Sequence, residues 1–174
     1  MIARNKRLVT LTLSHPEGQA LFRHMVAHAD IVIENYRPGT FERWGLGHAE
    51  LAKVNSRVVL VRVSGFGQTG PYAHRGSYGT VAEAFSGIPS FTGFPDRPPT
   101  LPGFPMADSV AATFAAVAAM FALYRRNQGG AGSGQEIDVS LYEPLACRML
   151  AETAGSQTKL RTASRPRQVV GAGR

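Results

Sequence analysis

From Met1 to Ser64, short apolar runs rich in β-branched residues alternate with amphipathic stretches. Leu8-Val-Thr-Leu-Thr-Leu13 alternates with period two and predicts a strand. Ser14 opens Ser-His-Pro-Glu, a capping-box pattern with Pro16 in the first turn. It predicts a helix to about Ala29, its apolar face made by Ala20, Leu21, Met25 and Val26. Asp30-Ile-Val-Ile-Glu34 reads as the next strand, followed by helical pieces around Thr40–Trp44 and His48–Val54. Arg57–Ser64 predicts a third strand, apolar enough to be covered on both faces. Strands alternating with helices imply a parallel sheet with helices packed on it.

From Gly65 to Gly103 the pattern breaks, because eight of the 19 glycines and six of the 11 prolines fall there. One helix, about Tyr78 to Phe85, interrupts this loop-rich stretch. A long Ala-rich helix follows from about Met106 to Arg126, then a strand at Glu136–Leu141 and a helical piece at Tyr142–Leu150. Gly155–Arg174 carries no apolar period and reads as disordered or out of its native context.

At 174 residues, 44% hydrophobic and 18% charged, the chain has the composition of one globular domain. Its formal charge of +7 points to anionic partners, but Lys159, Arg161, Arg165, Arg167 and Arg174 supply five of those charges. Without them +2 remains, which argues against a nucleic-acid surface. A single cysteine, Cys147, excludes an intrachain disulfide and fits a reducing compartment. No signal peptide is visible. Ser109–Tyr124, the longest uncharged apolar run, has 16 residues where a bilayer span needs about 20, so no membrane is expected. The chain reads as cytoplasmic.

Gly65-Phe-Gly-Gln-Thr-Gly70 matches G-x-G-x-x-G after a strand. A dinucleotide site, however, needs a helix opening within the motif and an acid about 20 residues on. Neither is present, so a glycine-rich active-site loop or a tight turn fits better. His24 and His28 share a helix face, yet no third ligand accompanies them, and no metal is expected. His15, His48 and His74 are too scattered to build a Ser-His-Asp arrangement. Asp108 stands out as the only charge between Arg97 and Arg125, at the start of the long apolar helix. A carboxylate there is held ionised by exposed N–H groups and the macrodipole. Position alone leaves an ordinary N-cap and a functional acid equally open. Asp138, in mid-strand, suggests a structural hydrogen bond. Arg37 and Arg43 flank Pro38-Gly39 beyond a strand's C-terminal end, where α/β sheets bind ligands and where two guanidiniums suit phosphates.

Several strings carry a resemblance in order and spacing across roughly residues 4 to 146: Asn5-Lys-Arg with Val9-Thr-Leu, His15-Pro-Glu-Gly18, Asp30-Ile-Val-Ile-Glu-Asn-Tyr-Arg-Pro-Gly39, Leu46-Gly47, Val63-Ser-Gly-Phe-Gly-Gln-Thr-Gly-Pro71, Ala107-Asp108, and Gly134-Gln-Glu-Ile-Asp-Val-Ser-Leu141. Together they resemble the CaiB/BaiF group, the family III CoA-transferases. The resemblance implies an α/β fold: a partial Rossmann-like large domain over residues 1–146, with a parallel sheet, flanking helices and a long apolar helix. Residues 147–174 form an off-pattern basic tail. It further implies CoA transfer from an acyl-CoA to a carboxylic acid, with coenzyme A thioester as substrate and no permanently bound cofactor.

By the same resemblance Asp108 is the nucleophile, forming a mixed anhydride and then an aspartyl-CoA thioester. The CoA contacts carry over onto Leu11, Asn35, Tyr36, Arg37, Arg43 and Tyr78, with Gly65, Gly67 and Gly70 as the active-site glycine loop. The full-length form is expected to be an interlocked homodimer. Two alternatives accompany this reading. One is an isomerase like the α-methylacyl-CoA racemases, whose histidine would fall at Tyr78; the acid that commonly follows it is Gly79 here. The other is a truncated, inactive fragment, because the chain starts inside the family's first domain and ends before the small one.

Overall fold

The computed structural model describes residues 4–94, 96–128 and 132–147. Its elements are α1 (Pro16–Val26), β1 (Ile31–Glu34), α2 (Thr40–Arg43), α3 (His48–Val54), β2 (Val59–Ser64), α4 (Gly79–Ser86), a 3₁₀ turn (Ile88–Phe91), α5 (Met106–Asn127) and β3 (Glu136–Ser140). The strands form one parallel sheet in the order β1-β2-β3, with Glu34 beside Arg62 and Arg62 beside Asp138.

β2 is central and shows why a β-branched run becomes an inner strand. Val59 and Val61 face one layer, packed with Ile137, Val139 and the alanines of α5. Val58 and Leu60 face the other, packed with Val26, Phe41, Leu46 and Leu51. The next residue of that parity is Arg62, only 3% exposed. Burial works against its charge. Hydrogen bonds to Glu42 (2.5 Å) and Glu34 (2.6 Å) outweigh that and raise its already high pKa. Glu136 adds a longer contact at 3.3 Å.

α5 has an inner stripe of Ala107, Ala111, Ala115, Ala119 and Ala122, all buried, closed by buried Arg126. Arg126 donates to the Arg57 carbonyl (2.8 Å) and to Asp30 (2.6 Å), tying the helix end to the strand starts. By length and composition α5 is able to cross a bilayer, but its stripe lies in the core against the sheet.

Four expectations change. Leu8–Leu13 is not a strand: no neighbour among the described residues pairs with it, and Leu8 and Val9 stay exposed. Ser14 does not cap α1, whose N-cap is His15, without a side-chain hydrogen bond. α1 also stops at Val26, because Asn55 donates to the carbonyls of Val26 (3.0 Å) and Ala29 (2.9 Å) and draws the chain into tight turns. Leu21 and Met25 of its expected apolar face are exposed, and Phe22 packs inward instead. The helical piece after β3 covers 143–147; the rest of that expectation, and the tail beyond Cys147, lie outside the described residues.

Candidate active site

The C-terminal ends of the parallel strands all open on one cleft, about 180 Å³ in volume. β1 delivers Asn35, Tyr36 and Arg37, β2 delivers Ser64 and Gly65, and α5 brings Asp108 to the same wall. The turn after β1 is held from beneath. Glu34, ion-paired to Arg62, accepts the Tyr36 N–H through its second oxygen at 2.6 Å. The Tyr36 ring stands edge-on to Trp44 at 5.0 Å and tilts against Phe41 at 5.6 Å. Arg37 lies over Gly76, where a side chain would meet its guanidinium at 3.0 Å.

The glycine loop covers the cleft without opening a helix, so it is no dinucleotide fingerprint. A Cβ on Gly65 would overlap Ser77, and Gly67 has φ 85°, a conformation that L side chains rarely adopt. Asp138 accepts the Gln68 N–H at 2.7 Å, which is the structural hydrogen bond expected of it. Burial of that carboxylate beneath the loop pushes its pKa up. Phe66 and Tyr72, within the loop, pack on Phe85 of α4 and stand at 5.2 and 5.5 Å from it; Tyr142 closes the cluster at 5.0 Å from Phe85. Arg75 stacks 4.4 Å over Tyr72 and lines the cleft, giving it a second guanidinium.

Asp108 is the third residue of α5; the N-cap is Pro105, which rules out the plain N-cap reading. It is exposed and lines two clefts at once. The second, about 500 Å³, is bounded by Thr80, Leu101, Pro102 and Phe104. Tyr78, 66% exposed, is the other residue common to both clefts. α4 points its N-terminus at the same spot, and its N-cap, Tyr78, makes no side-chain capping bond.

The sequence-based candidates thus divide. Asn35, Tyr36, Arg37, Gly65, Tyr78 and Asp108 converge. Leu11 lines a separate cleft of about 400 Å³ with Thr12, His15 and Leu21. Arg43 turns to Thr40 at 2.8 Å, and Gly67 and Gly70 shape the loop without lining the cleft. Ser64, Arg75, Ser77 and Glu83 were not foreseen. Ser64 ends a strand, its buried hydroxyl without a hydrogen-bond partner among the described residues, and periodicity gives no sign of that.

A glycine loop, a clustered Asn-Tyr-Arg turn and an acid at the head of an Ala-rich helix are joined here in one constellation. The family model for CoA-transferase family III matches residues 1–173. The chain belongs to CoA-transferase family III. Among family relatives, the chain is 50% identical over 149 residues to the succinyl-CoA–D-citramalate CoA-transferase of Chloroflexus aurantiacus, covering 86% of this chain and 37% of that protein. It is 42% identical over 143 residues to the acetyl-CoA:oxalate CoA-transferase of Acetobacter aceti, covering 82% and 36% respectively. A crystal structure of a CaiB/BaiF family protein from Brucella suis superposes with a TM-score of 0.86 at 32% identity, over 92% of this chain and 42% of that one. The chain spans just over a third of the length of these curated relatives.

Proposed function

We propose that the protein carrying this chain transfers CoA from an acyl-CoA to a carboxylic acid, with Asp108 as nucleophile. The carrying observation is an exposed carboxylate at the junction of two clefts, one flanked by Arg37 and Arg75. Two guanidiniums suit the phosphates of a CoA thioester, and the second cleft leaves room for the acyl group or the acceptor. Asp108 attacks the thioester carbonyl, forming a mixed anhydride as the C–S bond breaks and CoA leaves as thiolate. The thiolate attacks the Asp108 carbonyl, giving an aspartyl-CoA thioester and releasing the donor acid. The acceptor carboxylate attacks that thioester, expelling CoA thiolate and forming a second mixed anhydride; the thiolate then attacks the acceptor's carbonyl in that anhydride, giving the new acyl-CoA and freeing the Asp108 carboxylate.

The N–H groups that open at the start of α4, next to Asp108, would suit the oxyanions. Anhydrides hydrolyse, so the loop stapled down by Phe66 and Tyr72 serves to exclude water. A racemase needs an acid–base partner facing Asp108; Tyr78 in that place favours transfer. An interlocked homodimer belongs to this reading. The exposed apolar outer face of α5, Phe114, Val117, Met120, Phe121 and Tyr124, is the surface a partner would cover.

Incubation with acyl-CoA followed by hydroxylamine or borohydride trapping should modify Asp108, located by mass spectrometry. A protein with measurable transfer but no adduct on Asp108 would overturn the proposal.

A further inference from the structure

Asp108 is seated by α4 as well as by its own helix. Gly79 and Glu83 stand four apart on α4 and so share one face. That face meets the first turn of α5. Glu83 is 4% exposed, and its Oε1 accepts the N–H of Ala107, the residue next to Asp108, at 3.1 Å. Gly79 faces the carboxylate itself. A Cβ at Gly79 would overlap Oδ2 of Asp108 and come within 3.3 Å of its carboxyl carbon. Gly79 does not adopt a left-handed conformation, so its backbone gives no reason for glycine. Alanine is the better helix former at such a site. The contact with Asp108 is what a side chain at residue 79 would disturb, and the exposed carboxylate would turn away to relieve it.

We infer that Gly79 and Glu83 form a two-point seat for Asp108. Gly79 keeps open the space into which the carboxylate turns between the two clefts. Glu83, a positioning residue, fixes the backbone of the turn that carries it. The inference rests on Asp108 being the nucleophile, and it adds that α4 decides where that nucleophile points. A side chain at residue 79 pushes the carboxylate off the junction of the clefts. Loss of the Glu83 oxygen leaves the Ala107 N–H buried without a partner and loosens the turn.

The test compares Gly79→Ala, Glu83→Ala and Glu83→Gln with wild type and Asp108→Asn, measuring kcat and KM for acyl-CoA, melting temperature and carbodiimide labelling of Asp108. A displacement near 1 Å loses on the order of 100-fold in rate, so Gly79→Ala should lower kcat by about that factor with KM within about twofold. Glu83→Ala should lower kcat at least about tenfold. Glu83→Gln keeps an acceptor oxygen and should return kcat to within about threefold of wild type.

Gly79→Ala should also change the labelling rate of Asp108 relative to exposed Glu17, in active and inactive preparations alike. If Glu83→Ala fails to fold, Gly79→Ala and Glu83→Gln decide. Wild-type kcat in Gly79→Ala overturns the inference. So does unchanged Asp108 labelling, or a Glu83→Gln variant as impaired as Glu83→Ala. An active Asp108→Asn variant overturns the proposed function instead. An inactive one beside wild-type Gly79→Ala and Glu83→Ala overturns only the seat.

Discussion

Arg62 donates to Glu34 at 2.6 Å with both side chains almost wholly buried, and the second oxygen of Glu34 holds the Tyr36 N–H. The charge at the centre of the sheet is thereby linked to the loop that carries Arg37. Removing one partner of a buried pair leaves an uncompensated charge and costs about 3–5 kcal/mol. Arg62→Met should lose stability of that order by urea denaturation. A further Glu34→Met change should recover much of it, yet leave the Tyr36 turn loose and KM for acyl-CoA raised.

Glu42 predicts a pH effect. Its hydrogen bond to Arg62 holds its pKa below the usual 4.5. The stabilisation it contributes is therefore present above pH 4.5 and lost as pH falls through its folded-state pKa. The Glu42 side chain is about half exposed, so the effect should be modest. Melting curves of wild type and Glu42→Gln should differ at pH 6 and converge below pH 4.5.

Asp138 has the opposite sign. Burial raises its pKa above 3.8, so stability is lost as pH rises through the folded-state value. Asp138→Asn keeps an acceptor for the Gln68 N–H. Its melting temperature relative to wild type should rise as pH climbs above 3.8 and show no such advantage below it.

Arg126 anchors the C-terminal end of α5 to Asp30 and Arg57. Arg126→Ala strips these acceptors of their donor and should cost about 1–3 kcal/mol by chemical denaturation.

The Asp108 cleft orders the arginines by effect. Arg37→Ala should raise KM for acyl-CoA by about 10- to 100-fold, the worth of a charged hydrogen bond. Arg43→Ala should change it less, because that guanidinium faces Thr40.

The layered α/β pattern was legible because β2 and α5 state their periods plainly. Val59–Val61 alternates between two cores, and alanines recur every three or four residues along α5. Leu8–Leu13 misled, since period-two alternation signals strand chemistry but cannot supply a neighbour to pair with. The end of α1 was hidden because the residue that closes it, Asn55, lies 26 positions beyond Ala29. In the site, Asp108 and Arg37 stood out by position, while Asn35 and Tyr36 were found through the family strings. Ser64, Arg75 and Glu83 were not, because their roles arise from contacts between distant segments. Gly79 looked like a missing acid; in the folded chain it is room for a carboxylate.

The alanine stripe of α5 has a mechanical side. Small residues let the helix lie close upon the sheet along its length, so the depth of Asp108 is gauged by side chains up to four turns away. A leucine at Ala115 would act as a wedge under a plank, tilting the end that bears Asp108 without touching it. Tolerance to enlargement along that stripe should therefore follow leverage on Asp108 and not proximity to any ligand.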